Sequence, residues 1–163
     1  MMTGESQLPM PTGWDRNHLE EIGFRGFVPF AALATAGVPR EAGIYVVLRT
    51  STTTPEILEI TRARAGSAYP LRDLEARWVT GTPVLYIGKA EAKAGGLHKR
   101  LGQYARKGSS HAGGRSIWQL ADQDELLVAW VTTPGESAED VEIRYRAAFA
   151  DVYKQWPFAN RKR

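Results

Sequence analysis

The spacing of hydrophobic and polar residues along the chain predicts a small mixed α/β domain. Runs rich in β-branched and aromatic residues at 43–48 (GIYVVL), 83–87 (PVLYI) and 125–132 (ELLVAWVT) are typical of buried strands. Apolar residues recur every three or four positions over 97–104 and again from 138 to about 153, which predicts two helices. The order strand, strand, helix, strand, helix predicts an α+β fold, with a small sheet covered by helices.

The other segments carry weaker patterns. Residues 1–13 are rich in Pro, Gly and polar side chains and predict a loose arm. Apolar residues recur from 14 to 35 and favour one or two short helices that pack onto the domain as an N-terminal helical extension (residues 1–40). Within 50–82 a strand is expected at 56–60 and a short helix at 71–79.

Composition excludes several classes of protein. The 163 residues suit one domain, and no apolar run approaches the roughly 18 residues that a membrane span needs. No signal-like segment follows the N-terminus, so a cytoplasmic protein without membrane contact is expected. The sequence contains no cysteine, which excludes disulfides, thiolate zinc sites and cysteine nucleophiles.

The net charge of +3 is unevenly distributed. Residues 121–142 contain acidic residues but no Lys or Arg, whereas residues 86–120 contain one acid, Glu91, and the chain ends with Arg-Lys-Arg. Such a concentration of positive charge predicts a surface that binds a polyphosphate such as DNA; a solvated helical face is the alternative. The basic residues of the 86–120 segment are Lys89, Lys93, Lys99, Arg100, Arg106, Lys107 and Arg115.

Two tyrosines lie within predicted strands, each beside a glycine and an isoleucine. Tyr45 follows Gly43-Ile44, and Tyr86 precedes Ile87-Gly88. Tyrosines in strands usually serve in core packing. If the two strands are neighbours, however, the hydroxyls converge and could orient or deprotonate a water, provided that a nearby cation lowers their pKa.

Two helical residues have charges beside an apolar stripe. Arg100 lies next to the stripe of its helix, where a planar cation could stabilise a phosphodiester transition state rather than extend into solvent. Glu142 lies on the apolar flank of the last helix, where a carboxylate requires a partner. A buried ion pair and a largely hydrated Mg²⁺ are the two interpretations of Glu142. A third candidate, His111, lies in a glycine-containing loop and could carry a proton or contact a phosphate.

Several of these features occur in a recognisable order. GIY at 43–45, YIG at 86–88, LHKRLGQY at 97–104 and a later helical glutamate followed by PFAN at 157–160 together resemble the GIY-YIG nuclease superfamily. The resemblance covers residues 41–163. It implies a three-stranded antiparallel sheet flanked by helices, and a metal-dependent DNA endonuclease.

The resemblance also implies roles for five catalytic residues. Tyr45 and Tyr86 match tyrosines that position or activate the attacking water, and Arg100 matches the arginine that stabilises the transition state. Glu142 matches the single carboxylate that binds the metal, Mg²⁺ with Mn²⁺ as an alternative. Asn160 matches an asparagine near the C-terminal end of the domain.

A wider set of residues is predicted to contact DNA. Lys89 matches the lysine that follows YIG in the excision-repair members, and Tyr104 matches a position held by His or Tyr. The predicted substrate-binding residues are Lys89, Lys99, Tyr104, Arg106, Lys107, His111 and Arg115.

The chain departs from the family pattern between the two tripeptides. That gap is longer than in the compact members, so residues 50–82 are interpreted as an insertion. No second DNA-binding module is evident, which leaves specificity to the insertion, the N-terminal region, a homodimer or a partner protein.

The leading hypothesis is therefore Mg²⁺-dependent hydrolysis of DNA phosphodiester bonds. Restriction-like cleavage is the first expectation and repair or structure-specific nicking the second, with double-stranded or branched DNA favoured over single strands. The competing hypothesis is a catalytically silent nucleic-acid-binding module with the same fold.

Overall fold

The computed structural model describes residues 7–64, 66–107 and 112–161. Within these ranges no helix is both long and apolar enough to cross a membrane. The regular elements are α1 (Arg16–Glu21), β1 (Arg25–Pro29), β2 (Gly43–Leu48), α2 (Leu71–Arg77), β3 (Val84–Ala90), α3 (Gly96–Ala105), β4 (Leu127–Thr132) and α4 (Ala138–Tyr153). The longer 3-10 helices are Phe30–Thr35 and Ala112–Gln119.

The centre of the fold is a four-stranded antiparallel sheet in the order β1-β4-β2-β3. In β2, Val46 pairs with Ile87 of β3 on one side and with Ala129 of β4 on the other. Every residue of β2 is buried, which explains its continuous apolar sequence. The α+β class is confirmed, but the prediction of three strands is wrong by one.

The additional strand comes from the N-terminal segment. Helix α1 is found where a helix was expected, whereas β1 replaces the helical structure expected further along. A bulge between Gly26 and Val28, with Phe27 at φ 57°, interrupts the two-residue alternation of buried and exposed side chains. The hydrophobic pattern therefore does not indicate a strand here. A Cβ on Gly26 would lie 2.4 Å from the ring of Trp130, so only glycine fits there. Residues 1–40 are thus not only an extension, because they contribute a strand to the sheet.

Each face of the sheet has its own hydrophobic cluster. Helix α4 covers the face that contains Ile44, Val46 and Ile87. Helix α3 and the 3-10 helices cover the opposite face, which contains Tyr45 and Tyr86. The alternation of β2 residues between the two clusters follows directly from the two-residue period of a strand.

Helix α4 has the boundaries that its capping residues dictate. The hydroxyl of Ser137 accepts a hydrogen bond from the backbone N–H of Asp140 at 3.3 Å, and Glu139 lies in the first turn. The helix ends at Lys154, which adopts a left-handed conformation with φ 65°. The predicted last helix is confirmed.

Parts of the 50–82 segment pack onto the domain. Helix α2 confirms the predicted short helix, but the strand expected at 56–60 is only an isolated bridge between Ile57 and Leu120. Buried Arg49 anchors the start of the segment: its Nε donates to Asp122 at 2.7 Å, and its Nη1 donates to the carbonyl of Thr53 at 2.7 Å.

Residues near both ends of the described part of the chain are held by hydrogen bonds. In the arm, the N–H of Leu8 donates to Glu136 at 2.7 Å and the carbonyl of Pro9 accepts from Tyr145 of α4, so residues 7–13 do not form the loose arm expected. Near the C-terminus, the N–H of Ala159 donates to the carbonyl of Leu85 at 2.8 Å. The C-terminal segment therefore runs along the otherwise open edge of β3.

Candidate active site

A cleft of about 520 Å³ opens between α3, β3 and α4. Its walls bring together side chains from four elements that are distant in the sequence. The residues that line it are Tyr45, Tyr86, Lys89, Ala90, Glu91, Lys93, Gly96, Lys99, Arg100, Gln103 and Glu142.

Tyr45 and Tyr86 lie together on the floor of the cleft. Strand pairing aligns Tyr45 with Gly88 and Val47 with Tyr86, so the two rings are diagonal neighbours on the same face of the sheet. Their centroids are 6.0 Å apart. Tyr45 is completely buried and Tyr86 is 6% exposed, so Tyr86 is the phenol nearer to solvent.

Both tripeptides have a steric reason to contain glycine. A Cβ on Gly88 would lie 2.5 Å from Cζ of Tyr45 and 2.7 Å from its hydroxyl oxygen. A Cβ on Gly43 would lie 2.3 Å from the carbonyl oxygen of Val131 and 2.6 Å from Leu97 of α3. Gly43 thus lets α3 approach the sheet, and Gly88 makes room for the Tyr45 ring.

Arg100 is attached to the tyrosine pair. Its guanidinium donates a hydrogen bond to the hydroxyl of Tyr45, and Tyr45 is in turn hydrogen bonded to Tyr86. Arg100 lies on the side of α3 that faces the sheet, next to the buried residues Leu97 and Leu101. The position beside the apolar stripe, which was predicted from the sequence, places this cation in the wall of the cleft.

The environment of the tyrosines keeps their hydroxyls neutral. Burial raises the pKa of Tyr86 to about 12, and the negative charge of Glu142 acts in the same direction. Burial also raises the pKa of Tyr45 well above its usual range. Arg100 lowers both pKa values, but burial outweighs it, so the condition stated for an acidic phenol is not met by Arg100 alone. At neutral pH both hydroxyls are therefore protonated and act as hydrogen-bonding groups.

Glu142 extends from α4 into the same cleft. Its side chain is 12% exposed, and burial raises the pKa of its carboxyl group despite the attraction of Arg146 and Lys89. The nearest contact to Arg146 is 3.8 Å from Nη2 to Oε1, which is too long for a hydrogen bond. The ion pair is therefore loose, and Arg146 also stacks on Trp156 with 4.8 Å between Cζ and the ring centroid.

The carboxylates of the cleft fit a hydrated divalent cation better than a fully protein-coordinated one. No cluster of three or more metal-ligating side chains occurs among the residues that the structure describes. Glu142 lies in the cleft as a partly buried carboxylate with a loose ion pair to Arg146, whereas Glu91 is more exposed and is engaged by Lys89 at 3.2 Å. Mg²⁺ retains several waters and binds through one or two carboxylates, so Glu142 suits that ion.

Asn160 lies outside the cleft lining and acts on β3 instead. Its Oδ1 accepts from the N–H of Ile87 at 2.9 Å, and its Nδ2 donates to the carbonyl of Ile87 at 2.9 Å. The side chain is buried. Asn160 thus fixes the backbone directly after Tyr86, and its catalytic role stays a prediction.

The predicted DNA-binding residues do not all lie in the cleft. Lys89 and Lys99 line the cleft. Tyr104 is completely buried and donates to the carbonyl of Gly114 at 2.9 Å, so the structure places it in the core and not in the lining of the cleft. His111 lies outside the described residues.

The remaining three basic residues face other surfaces. Arg106 lines a groove beside the 3-10 helix Phe30–Thr35. Lys107 lies 4.8 Å from the ring centroid of Trp118, and Arg115 packs against Tyr69. The sequence places all three residues in one basic segment, and this does not show that their side chains point to different surfaces.

Three cleft residues with polar or charged side chains were not among the predicted site residues, namely Glu91, Lys93 and Gln103. Gln103 follows Arg100 by one helical turn, and this spacing was the available signal for it. Arg146 was also missed, although it lies four residues after Glu142 on the same helix.

Comparison of the chain with models of protein families, with curated proteins and with solved structures finds no match. The resemblance carried by the two tripeptides therefore stays a prediction, and the chemistry of the cleft is the basis for the functional argument.

Proposed function

We propose that the protein is a metal-dependent endonuclease that hydrolyses DNA phosphodiester bonds. The observation that carries the proposal is the convergence of Tyr86, Arg100 and Glu142, from β3, α3 and α4, on one cleft. A planar cation, a phenol and a single carboxylate are suitable groups for phosphodiester hydrolysis. Restriction-like cleavage of double-stranded DNA is the first form of this proposal, and repair or structure-specific nicking is the second.

Arg100 stabilises the charge that develops on the phosphate. Its hydrogen bond to Tyr45 fixes the guanidinium before substrate arrives, so little reorganisation is needed in the transition state. Lys89 and Lys99 line the same cleft and add positive charge that attracts the phosphate backbone.

Tyr86 orients the attacking water, and Tyr45 positions Tyr86 and Arg100. A neutral phenol can donate one hydrogen bond and accept another, which suffices to direct a water towards phosphorus. The water oxygen forms a bond to phosphorus, the bond from phosphorus to the 3′ oxygen breaks, and the proton that the water gives up passes through solvent to the leaving 3′ oxygen.

Glu142 would hold the cation, Mg²⁺ or Mn²⁺. When bound, the ion supplies positive charge that stabilises the leaving 3′ oxygen. Specificity is left to the 50–82 segment, the N-terminal residues, a homodimer or a partner protein.

The second candidate is a nucleic-acid-binding module without catalysis. The basic residues of the cleft favour it equally, since they bind phosphates in either case. The hydrogen-bonded chain from Arg100 through Tyr45 to Tyr86 favours the enzyme, because binding alone does not require a prearranged buried network.

Cleavage of plasmid, linear duplex, branched and single-stranded DNA with Mg²⁺ or Mn²⁺ tests the proposal. We expect the parent protein to cleave at least one of these substrates. Glu142→Gln should lose at least about a hundredfold in rate, as expected for loss of a group that acts on transition-state charge. The variant Glu139→Gln removes the same charge one turn earlier on α4, at a side chain that is 60% exposed, and should retain the parent rate.

Equal cleavage by the parent and Glu142→Gln would contradict the role given to Glu142. Binding of DNA by the parent without cleavage of any substrate, with either metal, would favour the silent module.

A further inference from the structure

A second basic cluster is found outside the cleft, around the ring of Tyr69 in the 50–82 segment. The guanidinium carbon of Arg161 lies 3.9 Å from the centre of this ring, and that of Arg115 lies 5.1 Å from it. Arg77, from the end of α2, is close enough to act on Arg161 electrostatically. Three parts of the chain that are remote in sequence therefore contribute cations to one place.

The platform of the cluster is held rigidly by a buried glutamine. Gln119 Oε1 accepts from the N–H of Tyr69 at 2.8 Å, and Gln119 Nε2 donates to the carbonyl of Tyr69 at 3.1 Å. The same Nε2 donates to the carbonyl of Leu58 at 3.0 Å. The side chain of Gln119 is almost fully buried, so the position of Tyr69 is determined by the core and not by the surface.

The cluster has more positive charge and more hydrogen-bond donors than its surroundings satisfy. Arg115 donates from Nη2 to the carbonyl of Ser67 at 2.6 Å. Arg115 Nε and Arg161 Nη1, however, have no hydrogen-bond partner within the described part of the chain. Burial lowers the pKa of Arg161, and the neighbouring charges of Arg77 and Arg115 lower it further, while the exposed carboxylate of Asp73 opposes them. Those two nitrogen atoms are themselves buried, but both arginines are partly exposed, and an anion beside their exposed guanidinium groups would offset the concentrated positive charge.

The cluster adjoins the cleft through Tyr86. A Cβ on Gly114, the residue before Arg115, would lie 3.3 Å from the Tyr86 ring. Arg161 follows Asn160, which is bonded to the backbone next to Tyr86. Arg115 and Arg161 are thus each one residue away from a residue that contacts Tyr86 or the backbone beside it.

We propose that Arg115 and Arg161, which pack against the ring of Tyr69, form together with the nearby Arg77 a second phosphate site that binds a neighbouring phosphodiester of the DNA strand in the cleft. The inference rests on the proposed function for the identity of the strand. It assigns the 50–82 segment a task, because that segment supplies both Tyr69 and Arg77. Half-buried arginines fixed against an aromatic ring bind a phosphate in a defined orientation, unlike mobile surface lysines.

Binding of a labelled duplex, measured in EDTA so that no cleavage occurs, tests the site. Arg161→Gln and Arg115→Gln should each weaken binding about tenfold, in line with the loss of charge-assisted hydrogen bonds to one phosphate. Each should also reduce the slope of log affinity against log salt by about one unit. Arg25→Gln provides the matched control, because Arg25 is exposed on β1, at the opposite edge of the sheet.

A duplex with one neutral methylphosphonate linkage, moved stepwise along the strand, identifies the phosphate. With the parent protein, a methylphosphonate at one position outside the cleft should lower the DNA affinity as much as Arg161→Gln lowers it for the unmodified duplex. Arg161→Gln itself should be insensitive to that position, because the partner of the phosphate is already removed. Additive losses at every position, or equal affinities of Arg161→Gln and Arg25→Gln, would overturn the proposal.

Thermal unfolding separates a binding role from a purely structural one. If the arginines serve DNA, Arg161→Gln should unfold at the same or a higher temperature than the parent, since it removes like-charge repulsion. A lower melting temperature with unchanged DNA affinity would show that the stacking on Tyr69 is structural, and the proposal would be wrong.

The outcomes also separate this inference from the proposed endonuclease activity. If the salt and methylphosphonate effects are observed but the parent cleaves no DNA, the phosphate site is supported and the endonuclease activity is contradicted. If the parent cleaves DNA but the arginine variants bind it with the same affinity as Arg25→Gln, only the proposal of the phosphate site is contradicted. If the parent binds no DNA, both are wrong.

Discussion

Gly88 and Tyr45 are paired across β3 and β2, and the Tyr45 ring occupies the volume that a side chain at position 88 would need. An added Cβ would lie 2.5 Å from Cζ of the ring, closer than atoms can approach without displacement. Tyr45 is completely buried and bonded to Arg100, so the ring cannot move aside without shifting the cleft.

Gly88→Ala is therefore expected to damage both stability and activity. Overpacking of a buried site typically lowers the free energy of unfolding by about 1–3 kcal/mol. We expect a loss in this range by chemical denaturation, together with a loss of DNA cleavage that exceeds the change in DNA binding.

Gly102→Ala is the matched control for this change. Gly102 lies inside α3, and its Cβ would meet only the end of the Arg106 side chain, at 3.3 Å. Alanine in a helix interior should raise the free energy of unfolding by up to about 1 kcal/mol. Equal effects of the two substitutions would contradict the steric argument for Gly88.

Asn160 supports the cleft through the backbone, and its removal should act through stability. Asn160→Ala leaves the buried N–H and carbonyl of Ile87 without their partners, so we expect a loss of about 1–3 kcal/mol in the free energy of unfolding. Hydrogen exchange at the Ile87 amide should accelerate in the same variant. Asn17→Ala, at an exposed position of α1, should change the stability by less than about 0.5 kcal/mol.

Cleavage by Asn160→Ala distinguishes positioning from direct catalysis. A positioning role predicts that part of the activity returns at low temperature, where the folded state is better populated. A stable, fully folded Asn160→Ala protein without activity would show instead that the amide takes part in the chemistry.

Part of the site could be predicted because a charged residue beside an apolar helical stripe indicates a partly buried functional position. Arg100 and Glu142 are charges beside apolar helical stripes, and both line the cleft. Strand β2 was predicted with its observed boundaries because a central strand is apolar on both faces.

Other features depended on contacts that no local pattern contains. Strand β1 escaped prediction because its bulge at Phe27 breaks the two-residue alternation. Tyr104 was predicted as a site residue like Tyr45 and Tyr86, yet its hydroxyl donates a hydrogen bond to a backbone carbonyl inside the core. The directions of Arg106, Lys107 and Arg115 depend on the 3-10 helices and the 50–82 segment, whose packing is tertiary.

The buried tyrosines should make the protein sensitive to alkali. The pKa of Tyr86 is raised from 10.0 to about 12, and burial raises those of Tyr45 and Tyr104 as well. A raised pKa in the folded state means that stability is complete below pH 10.0 and is lost as the pH rises towards 12. We expect the tyrosinate absorbance of these residues to appear together with unfolding, above the pH at which exposed tyrosines ionise.

Tyr86→Phe checks the assignment of this behaviour. The variant should lose stability less steeply between pH 10.0 and about 12 than the parent, because one of the buried phenols is gone. At neutral pH it should fold but cleave DNA more slowly. Ionisation of all tyrosines near pH 10, in a protein that stays folded, would contradict the neutral hydrogen-bonded network.

At acid pH, protonation of Glu136 should weaken the hydrogen bond that holds Leu8 to the rest of the fold. Burial alone would raise the pKa of this carboxyl, but hydrogen bonds from the Leu8 N–H and from Arg144 outweigh it and lower the pKa below 4.5. A lowered pKa in the folded state means that the stabilisation is present above pH 4.5 and disappears as the pH falls through the folded-state value.

Glu136→Gln should remove this pH dependence. At pH 7 we expect the variant to be less stable than the parent by about 1.5 kcal/mol, the usual contribution of hydrogen bonds to a charged group. The difference should shrink as the pH falls below 4.5, because the parent then loses the same charge. Glu139→Gln, at an exposed position on α4, should show no such convergence. A stability gap for Glu136→Gln that stays constant from pH 7 down to pH 3 would mean that the arm is held by Tyr145 and packing, not by the carboxylate.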